Sequence, residues 1–419
     1  MVELWLPYGR TEGAVNIPDE NFIGEIVPKP LAAISDLKLT VKNALSNPIG
    51  APRLGDIARG KTRPVLAIDQ GPDPTFTTEV LSTALDELSL AGVSLGEVKV
   101  ISARGLLSSP NDVIPATGGL DPSQIVIHDP ESESLAAVGE TRLGTRVAIN
   151  EAFASSDLRV IVGYSMPSSL YGFSGVLNVV LPGLCGSHGS SRSWSSFDDP
   201  QARLGAVEGN PIRADMLEAA RLVGVDFAVN GIPGRDGRIA YCFAGDLEMV
   251  DRESVTRCKE VFQAQVEKHP SILITSAGGH PFDRSLQTAS MCIAAAGTII
   301  RRDGTIIAVC ECPEGAGSKE FVEWGSALTR ADDPSRELKR KFRLEGYHAL
   351  QIVEVAERAR VVLVSILPDY YSSGIFKLKT SRTINDALKS SLTSHGKGSK
   401  VATMPYGTLT APVGESRSG

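Results

Sequence analysis

Short apolar runs that alternate with helix-like stretches restrict the fold of this 419-residue chain more than any other feature. Buried parallel strands appear in a sequence as continuous apolar runs, and each needs a crossover helix before the next strand. The stretch Thr77–Ala91 between the first two runs has the spacing of an amphipathic helix. The pattern predicts a doubly wound α/β domain. Its apolar runs, rich in β-branched residues, are Val65–Ile68, Val98–Ile101 and Val160–Val162.

The same alternation returns in the second half of the chain, around a helix-like stretch at Gln287–Ala296. Because a helix usually ends at or before the residue that precedes a proline, we place a domain boundary before Pro270. We therefore expect two α/β domains with mostly parallel sheets, residues 1–269 and 270–400. A tail, residues 401–419, is expected to pack partly back on the N-terminal domain. The apolar runs of this half are Ile272–Thr275, Thr305–Cys312 and Val361–Ile366.

Charge and composition exclude several classes of partner. The 42 Lys and Arg residues against 49 Asp and Glu give a net charge of -7, spread along the chain, so no basic stripe is available to neutralise nucleic-acid phosphates. The N-terminus lacks a signal-peptide pattern, and no apolar run reaches the length of a membrane span, so we expect a cytoplasmic protein without a membrane partner. The six cysteines form no C-x-x-C pair and are expected to be reduced. A homodimer is the assembly to expect, as the commonest among soluble homo-oligomers.

Ligands of open α/β sheets bind beyond the carboxyl ends of the strands, so the loops after the apolar runs are the candidate sites. The first such loop places Asp69 and Asp73 four residues apart, where they could grip a metal or a hydroxylated substrate. The alternative is that Asp69 caps a following helix or turn and Asp73 is a solvated turn residue.

The second loop, residues 165–188, is rich in glycine and hydroxyl groups. Its segment GFSG around Ser174 resembles a nucleophile elbow, but that motif requires G-x-S-x-G and Val176 follows Gly175. Ser174 is therefore expected to be a turn or ligand-contact serine. A further loop at residues 311–317 is Gly-rich but matches no nucleotide-binding motif.

The loop at residues 275–284, with the sequence TSAGGHPFDR, follows an apolar run and precedes a helix. Backbone amides at a helix N-terminus favour an anion such as a carboxylate. His280 and Asp283 could form an acid/base pair there if their side chains converge. Alternatively, Asp283 caps the helix and His280 is an exposed turn residue.

Several segments recur together in one known family. In chain order they are LPYGR, PIGAPRL, the GFSG and LPG segments of residues 172–183, EGNP, FAGD, and SAGGHPFD followed by Gln287. In order and spacing they resemble the nickel-dependent lactate racemase superfamily over almost the full length of the chain. The resemblance implies a larger N-terminal and a smaller C-terminal α/β domain, with the active site in the cleft between them.

The resemblance also implies a nickel pincer cofactor tethered to a lysine, a histidine on nickel, and two histidines that exchange protons. The matching positions hold Asn178 for the lysine, Trp194 for the nickel ligand, and Ser168 and Leu107 for the proton-transfer histidines. An asparagine cannot form the covalent link, and a tryptophan is no nickel donor. We therefore expect the nickel pincer nucleotide not to bind, and a divalent metal such as zinc to be the alternative cofactor.

Two further departures concern charged groups. The aspartate of the family's D-x-T-R loop is kept as Asp69, but Pro72 stands in place of the arginine. The family's glutamine is kept as Gln287, and the lysine expected three residues later is Ser290. Arg192 and Arg284 are the guanidinium groups left to bind a carboxylate, since a fork of donors fits it bidentately.

Three functions remain open at this point. The first is an enzyme that acts on a small hydroxy-carboxylate or sugar-acid-like substrate in the interdomain cleft, by hydrolysis, elimination or epimerisation. Asp69, His188 and His280 would supply acid/base catalysis or hold a divalent metal. The second is a racemase or epimerase of 2-hydroxy acids with an altered cofactor mode, and the third is a non-catalytic, carboxylate-sensing paralogue. The expected substrate contacts are Ser168, Ser174, Asn178, Arg192, Trp194, Asp283, Arg284 and Gln287.

Overall fold

The structure, a computed structural model, describes residues 1–31, 34–103, 120–132 and 134–414. Its strands are β1 (Val2–Tyr8), β2 (Thr11–Ile17), β3 (Phe22–Glu25), β4 (Pro64–Asp69), β5 (Lys99–Ala103), β6 (Ile125–Ile127), β7 (Leu135–Glu140), β8 (Arg146–Asn150), β9 (Leu158–Tyr164), β10 (Pro167–Ser168), β11 (Gly172–Phe173), β12 (Phe227–Pro233), β13 (Ile239–Gly245), β14 (Gln263–Gln265), β15 (Ile272–Ser276), β16 (Thr305–Val309), β17 (Arg360–Val364), β18 (Lys379–Ser381), β19 (Val401–Met404) and β20 (Ala411–Val413).

The α-helices are α1 (Leu37–Ser46), α2 (Leu54–Ala58), α3 (Pro74–Leu90), α4 (Glu151–Ala154), α5 (Val176–Val180), α6 (Ser187–Trp194), α7 (Pro211–Val223), α8 (Leu247–Phe262), α9 (Leu286–Ile299), α10 (Lys319–Leu328), α11 (Pro334–Arg340), α12 (Leu344–Arg358) and α13 (Ile384–His395). No helix among the described residues is long and apolar enough to cross a membrane.

The chain forms two compact units. The central unit is Pro30–Glu260, and the terminal unit combines Met1–Lys29 with Val261–Gly419. Each contains one six-stranded sheet with mostly parallel strands, so the predicted two-domain α/β fold is confirmed.

The sheet of the central unit has the strand order β13-β12-β9-β4-β5-β6, and only β13 runs antiparallel to its neighbour. Every residue of β4 is buried, and its apolar run Val65–Ile68 is typical of a strand covered on both faces. Helix α3 follows it, with Asp73 as its N-cap and Pro74 in its first turn. The alternative that Asp69 is the cap and Asp73 a solvated turn residue was therefore wrong, since Asp73 is buried and accepts from the N–H of Thr75. The face of α3 that carries Phe76, Val80 and Leu81 packs into the core of this unit.

The order of these strands determines where a ligand can bind. From β4 the chain proceeds outward to β5 and β6 and then returns to add β9 and β12 on the other side of β4. The connections after β4 and β9 therefore leave the sheet in opposite directions and open a crevice at their carboxyl ends. The loops after Asp69 and Tyr164 begin at this crevice.

The sheet of the terminal unit has the order β18-β17-β16-β15-β19-β3, and all its strands are parallel. Its order reverses between β15 and β19, so its switch point lies where the loop after Ser276 begins. The β1–β2 hairpin contributes Leu6, Val15 and Ile17 to the core of this sheet.

One prediction about domain organisation was wrong. Residues 1–29 belong with the C-terminal sequence, because β3 pairs with β19 and the first hairpin supplies part of that core. The tail after residue 400 pairs with β3 and β14, which lie within the predicted N-terminal range 1–269 but belong to the terminal unit. The observed division after Glu260 lies close to the predicted boundary at His269. All six cysteines are free thiols.

Candidate functional site

The centre of the candidate site is a hydrogen-bonded pair, Asp69 with Asn178. Asp69 is the last residue of β4, and Asn178 lies in α5, which begins soon after β9 ends. Asn178 Nδ2 donates to Asp69 Oδ2 at 2.7 Å, and its Oδ1 accepts from the backbone N–H of Gly175 at 2.6 Å. The Asn178 amide therefore connects the loop that follows β9 to the end of β4, and it also caps its own helix α5.

A glycine in β9 allows α5 to approach the sheet this closely. A Cβ at Gly163 would lie 3.0 Å from backbone atoms of Gly175 and Val176. This spacing is tighter than nearly all contacts of real Cβ atoms, so any larger residue would push the start of α5 away from the strand. The geometry of the Asp69–Asn178 pair depends on this contact.

The carboxyl group of Asp69 is buried, with 6% of the residue exposed. Burial raises its pKa from 3.8 to about 6, and the hydrogen bond from the uncharged amide of Asn178 opposes this only in part. A carboxyl group that titrates close to neutral pH can both accept and release a proton, which general acid/base catalysis requires.

The hydroxyl groups of the loop between β9 and α5 bond to the loop itself. Ser174 Oγ donates to the carbonyl of Tyr164 at 2.8 Å and accepts from the N–H of Met166 at 2.9 Å. Ser168 Oγ accepts from the N–H groups of Leu170 and Tyr171 at 3.3 and 3.5 Å. Both serines are buried and hold the turn. The geometry agrees with the turn reading of Ser174 and gives no support to a substrate contact by Ser168.

The Ser174→Ala variant tests the nucleophile reading directly. We expect wild type and variant to remain equally unlabelled by a fluorophosphonate probe, because Ser174 Oγ already donates to a backbone carbonyl. The free energy of unfolding should fall by about 1–2 kcal/mol as two buried hydrogen bonds are lost. Mass spectrometry of the labelled protein, with trypsin as positive control, is the measurement. Labelling of wild type that disappears in the variant would identify Ser174 as a nucleophile.

A buried ion pair between Arg213 and Asp251 also holds the loop between β9 and α5. Arg213 Nη2 lies 2.7 Å from both carboxylate oxygens of Asp251, and Arg213 Nη1 donates to the carbonyl of Phe173 at 2.8 Å. The two side chains are 7% and 14% exposed. Asn210 Nδ2 adds a hydrogen bond to the carbonyl of Leu170 at 3.0 Å. This clamp was missed from the sequence, although Asn210 lies in the EGNP segment that was among the family motifs.

Helix α6 carries three predicted site residues, which differ in their exposure to solvent. His188 and Arg192 are exposed, whereas Trp194 is 3% exposed. Arg192 Nη2 donates to the carbonyl of Leu143 at 2.6 Å, so its guanidinium secures a backbone loop. The structure gives no support to the prediction that Arg192 grips a carboxylate.

In the terminal unit, the loop after β15 is bound to the first hairpin. The N–H of His280 donates to the carbonyl of Gly9 at 2.7 Å, and the N–H of Gly9 donates to Asp283 Oδ2 at 2.7 Å. Asp283 also accepts from the N–H of Glu311 at 3.1 Å. The expectation that Asp283 caps the following helix was wrong, since Ser285 is the N-cap of α9.

The predicted acid/base pair of His280 and Asp283 is not formed. Arg10 Nη2 lies 3.2 Å from His280 Nε2, while Asp283 Oδ2 is occupied by backbone donors. Desolvation of the ring, followed by the charges of Arg10 and Arg284, lowers the pKa of His280. Because a guanidinium group can only donate, the ring nitrogen that faces Arg10 is the acceptor.

The two remaining predicted contacts of this unit also have protein partners. Arg284 Nε lies 3.9 Å from Glu314 Oε1. Gln287 Oε1 accepts from the N–H of Ser318 at 2.9 Å. Their expected role in substrate binding stays a prediction.

Asp69, His188 and His280 were also expected to hold a divalent metal. In the part of the chain that the structure describes, no three His, Cys, Asp or Glu side chains are grouped as a metal site requires. The structure therefore gives the zinc hypothesis no support. Leu107, at a position of a family histidine, lies outside the described residues.

Comparisons with known families and proteins cover both units. The family profile for the lactate racemase N-terminal domain matches residues 8–204, and that for the lactate racemase C-terminal domain matches residues 266–410. The lactate racemase of Thermoanaerobacterium thermosaccharolyticum is 28% identical over 422 residues, which cover 97% of this chain and 98% of that protein. The lactate racemase of Lactiplantibacillus plantarum is 27% identical over 425 residues, with 97% and 99% covered.

Solved structures show the same similarity. The lactate racemase apoprotein from T. thermosaccharolyticum matches with a TM-score of 0.85 and 26% identity, over 98% of this chain and 100% of that chain. A structural-genomics structure from Thermotoga maritima matches with a TM-score of 0.65 and 15% identity, over 90% of this chain and 98% of that chain. The second match supports the fold alone.

Proposed function

Because the chain belongs to the lactate racemase family, we propose that it is an isomerase that inverts the configuration at C2 of a 2-hydroxy acid. The observation that carries this proposal is the match of both family domains, with relatives aligned over 97% of the chain. The relatives named by the comparisons are racemases, so they support the racemase alternative better than the hydrolase or lyase readings of the sequence.

Inversion at C2 requires the hydrogen on that carbon to leave one face and to return on the other. We assign Asp69 to the transfer on one face: its carboxylate takes the C2 hydrogen as a proton, the electron pair stays in the resulting enolate, and a proton from water returns on the other face. Asp69 suits this role because it lies at the switch point and its buried carboxyl has a raised pKa. Asn178 fixes the orientation of that carboxyl through the 2.7 Å hydrogen bond to Oδ2. The Arg213–Asp251 ion pair holds the adjoining loop in place, which maintains the relative positions of the Asp69 carboxyl and the Asn178 amide.

The test is an enantiomer-exchange assay with single enantiomers of lactate, malate, glycerate and 2-hydroxyglutarate, followed by chiral chromatography. We expect at least one pair to converge on an equal mixture from either side, since the two enantiomers have the same free energy. The assay should use protein expressed alone and protein expressed with the enzymes that make the nickel pincer cofactor. Configuration that is retained for every substrate with both preparations, while the T. thermosaccharolyticum racemase is active, would contradict the proposal.

A further inference from the structure

We infer that this chain holds no covalently tethered cofactor at Asn178 and no nickel at Trp194. The residues at these two positions do not fit the nickel pincer group that the family resemblance implies. The inference concerns the chemistry of the side chains at the two positions, so it stands whichever reaction the protein catalyses.

The first step concerns the tether. A covalent link to a lysine forms when the lone pair of its amine attacks an electrophilic carbon, the amine loses a proton, and a leaving group departs. The lone pair of a carboxamide nitrogen is delocalised into its own carbonyl, as in a peptide bond, so Asn178 cannot supply that nucleophile. Both ends of the amide are also occupied, by the N–H of Gly175 and by Asp69.

The second step asks whether another amine of the central unit could take over. Its sequence contains five lysines, all at positions that the structure describes, and none of them is buried. The Asn178 amide, in contrast, is 2% exposed. Lys259 Nζ is bound to Glu208 at 2.7 Å. No lysine of this unit is therefore buried beside the Asp69–Asn178 pair.

The third step concerns the metal. An indole nitrogen donates a hydrogen bond but has no lone pair for a metal, so Trp194 is no nickel ligand. The histidine on the same helix, His188, is six residues earlier, which places it about 240° around the helix axis from Trp194. His188 is exposed, whereas Trp194 is buried, so the two side chains point to different surroundings.

The test is co-expression of the full chain with the pincer biosynthetic enzymes in medium that contains nickel. The readouts are the intact mass under denaturing conditions and the nickel content per chain. The lactate racemase of T. thermosaccharolyticum, expressed in the same way, is the positive control. We expect the control to gain mass and nickel, and this chain to keep the mass of its unmodified sequence with no nickel above that of protein expressed alone.

The Asn178→Lys variant, with its fold checked by circular dichroism, supplies an amine at the same point. A mass adduct on this variant but not on wild type supports the inference most directly, because only the amine distinguishes them. Adducts on neither chain also support it, since wild type then lacks the group in a preparation that loads the control. An adduct on wild type, or nickel at one equivalent per chain, would overturn it. Neither readout depends on turnover, so failure of the proposed function would be seen separately.

Discussion

Replacing Arg213 with methionine is expected to lower the free energy of unfolding of the central unit by about 3–5 kcal/mol. Burial raises the pKa of Asp251, and the neighbouring Arg213 opposes this by favouring the carboxylate. Without the guanidinium, a buried carboxylate loses its counter-charge, and the carbonyl of Phe173 loses its donor. Urea denaturation followed by tryptophan fluorescence measures the change.

Arg221 offers a matched control because it also forms an ion pair between α7 and α8, with Glu248 at 2.7 Å. That pair is about half exposed, so solvent screens it, and Arg221→Met should leave stability almost unchanged. The double variant Arg213→Met, Asp251→Leu should recover most of the loss, since no buried charge is then left alone. Equal effects of the two arginine replacements would contradict a special role for the buried clamp.

The Asp69→Asn variant is expected to lose turnover by about 10²–10⁴-fold, because an amide cannot take up and return a proton in this pH range. The same change should make the folded state more stable at pH 8. The pKa of Asp69 is about 6 in the folded state against 3.8 without burial, so the folded state binds this proton more tightly than the unfolded state does. Its favourable contribution is therefore complete below pH 3.8 and is lost as pH rises to about 6, a difference of about 3 kcal/mol.

Stability curves at pH 4.5 and pH 8 test this sign. We expect wild type to lose stability relative to Asp69→Asn between these values, while the variant lacks that component of the pH dependence. Asp86→Asn, an exposed change on α3, is the control and should affect neither turnover nor the pH dependence. Full turnover in Asp69→Asn, or identical pH dependence of wild type and variant, would contradict the assigned role.

The apolar runs in the sequence were sufficient to predict two mostly parallel sheets. Strands β4 and β9 contain the continuous apolar runs Val65–Ile68 and Val160–Val162 because they are covered on both faces, and the sequence shows these runs directly. The position of Asp69 at a strand end followed from the same pattern. Its partner did not, because Asn178 lies 109 residues away and the pairing depends on the strand order.

Three features that were missed or wrongly predicted rest on distant contacts. Arg213 pairs with Asp251 on another helix, and no periodic pattern in the sequence indicates this pair. Asp283 precedes a helix and so resembles a cap, yet the N–H of Gly9, 274 residues away, binds it instead. The first 29 residues complete a core whose other members begin at Ile272, and only the tertiary structure reveals this.

The most direct test is the pKa of the Asp69 carboxyl group, because its partner is the neutral amide of Asn178 where the family resemblance implies an amine. Carbon-13 NMR of protein labelled at the aspartate carboxyl carbons, with Asp69→Asn to assign the signal, measures it. We predict a midpoint near pH 6 in wild type and a lower midpoint in Asn178→Lys, where an ammonium group would favour the carboxylate. A wild-type midpoint below 3.8 would contradict this prediction, since burial beside a neutral amide would then not control the titration of Asp69.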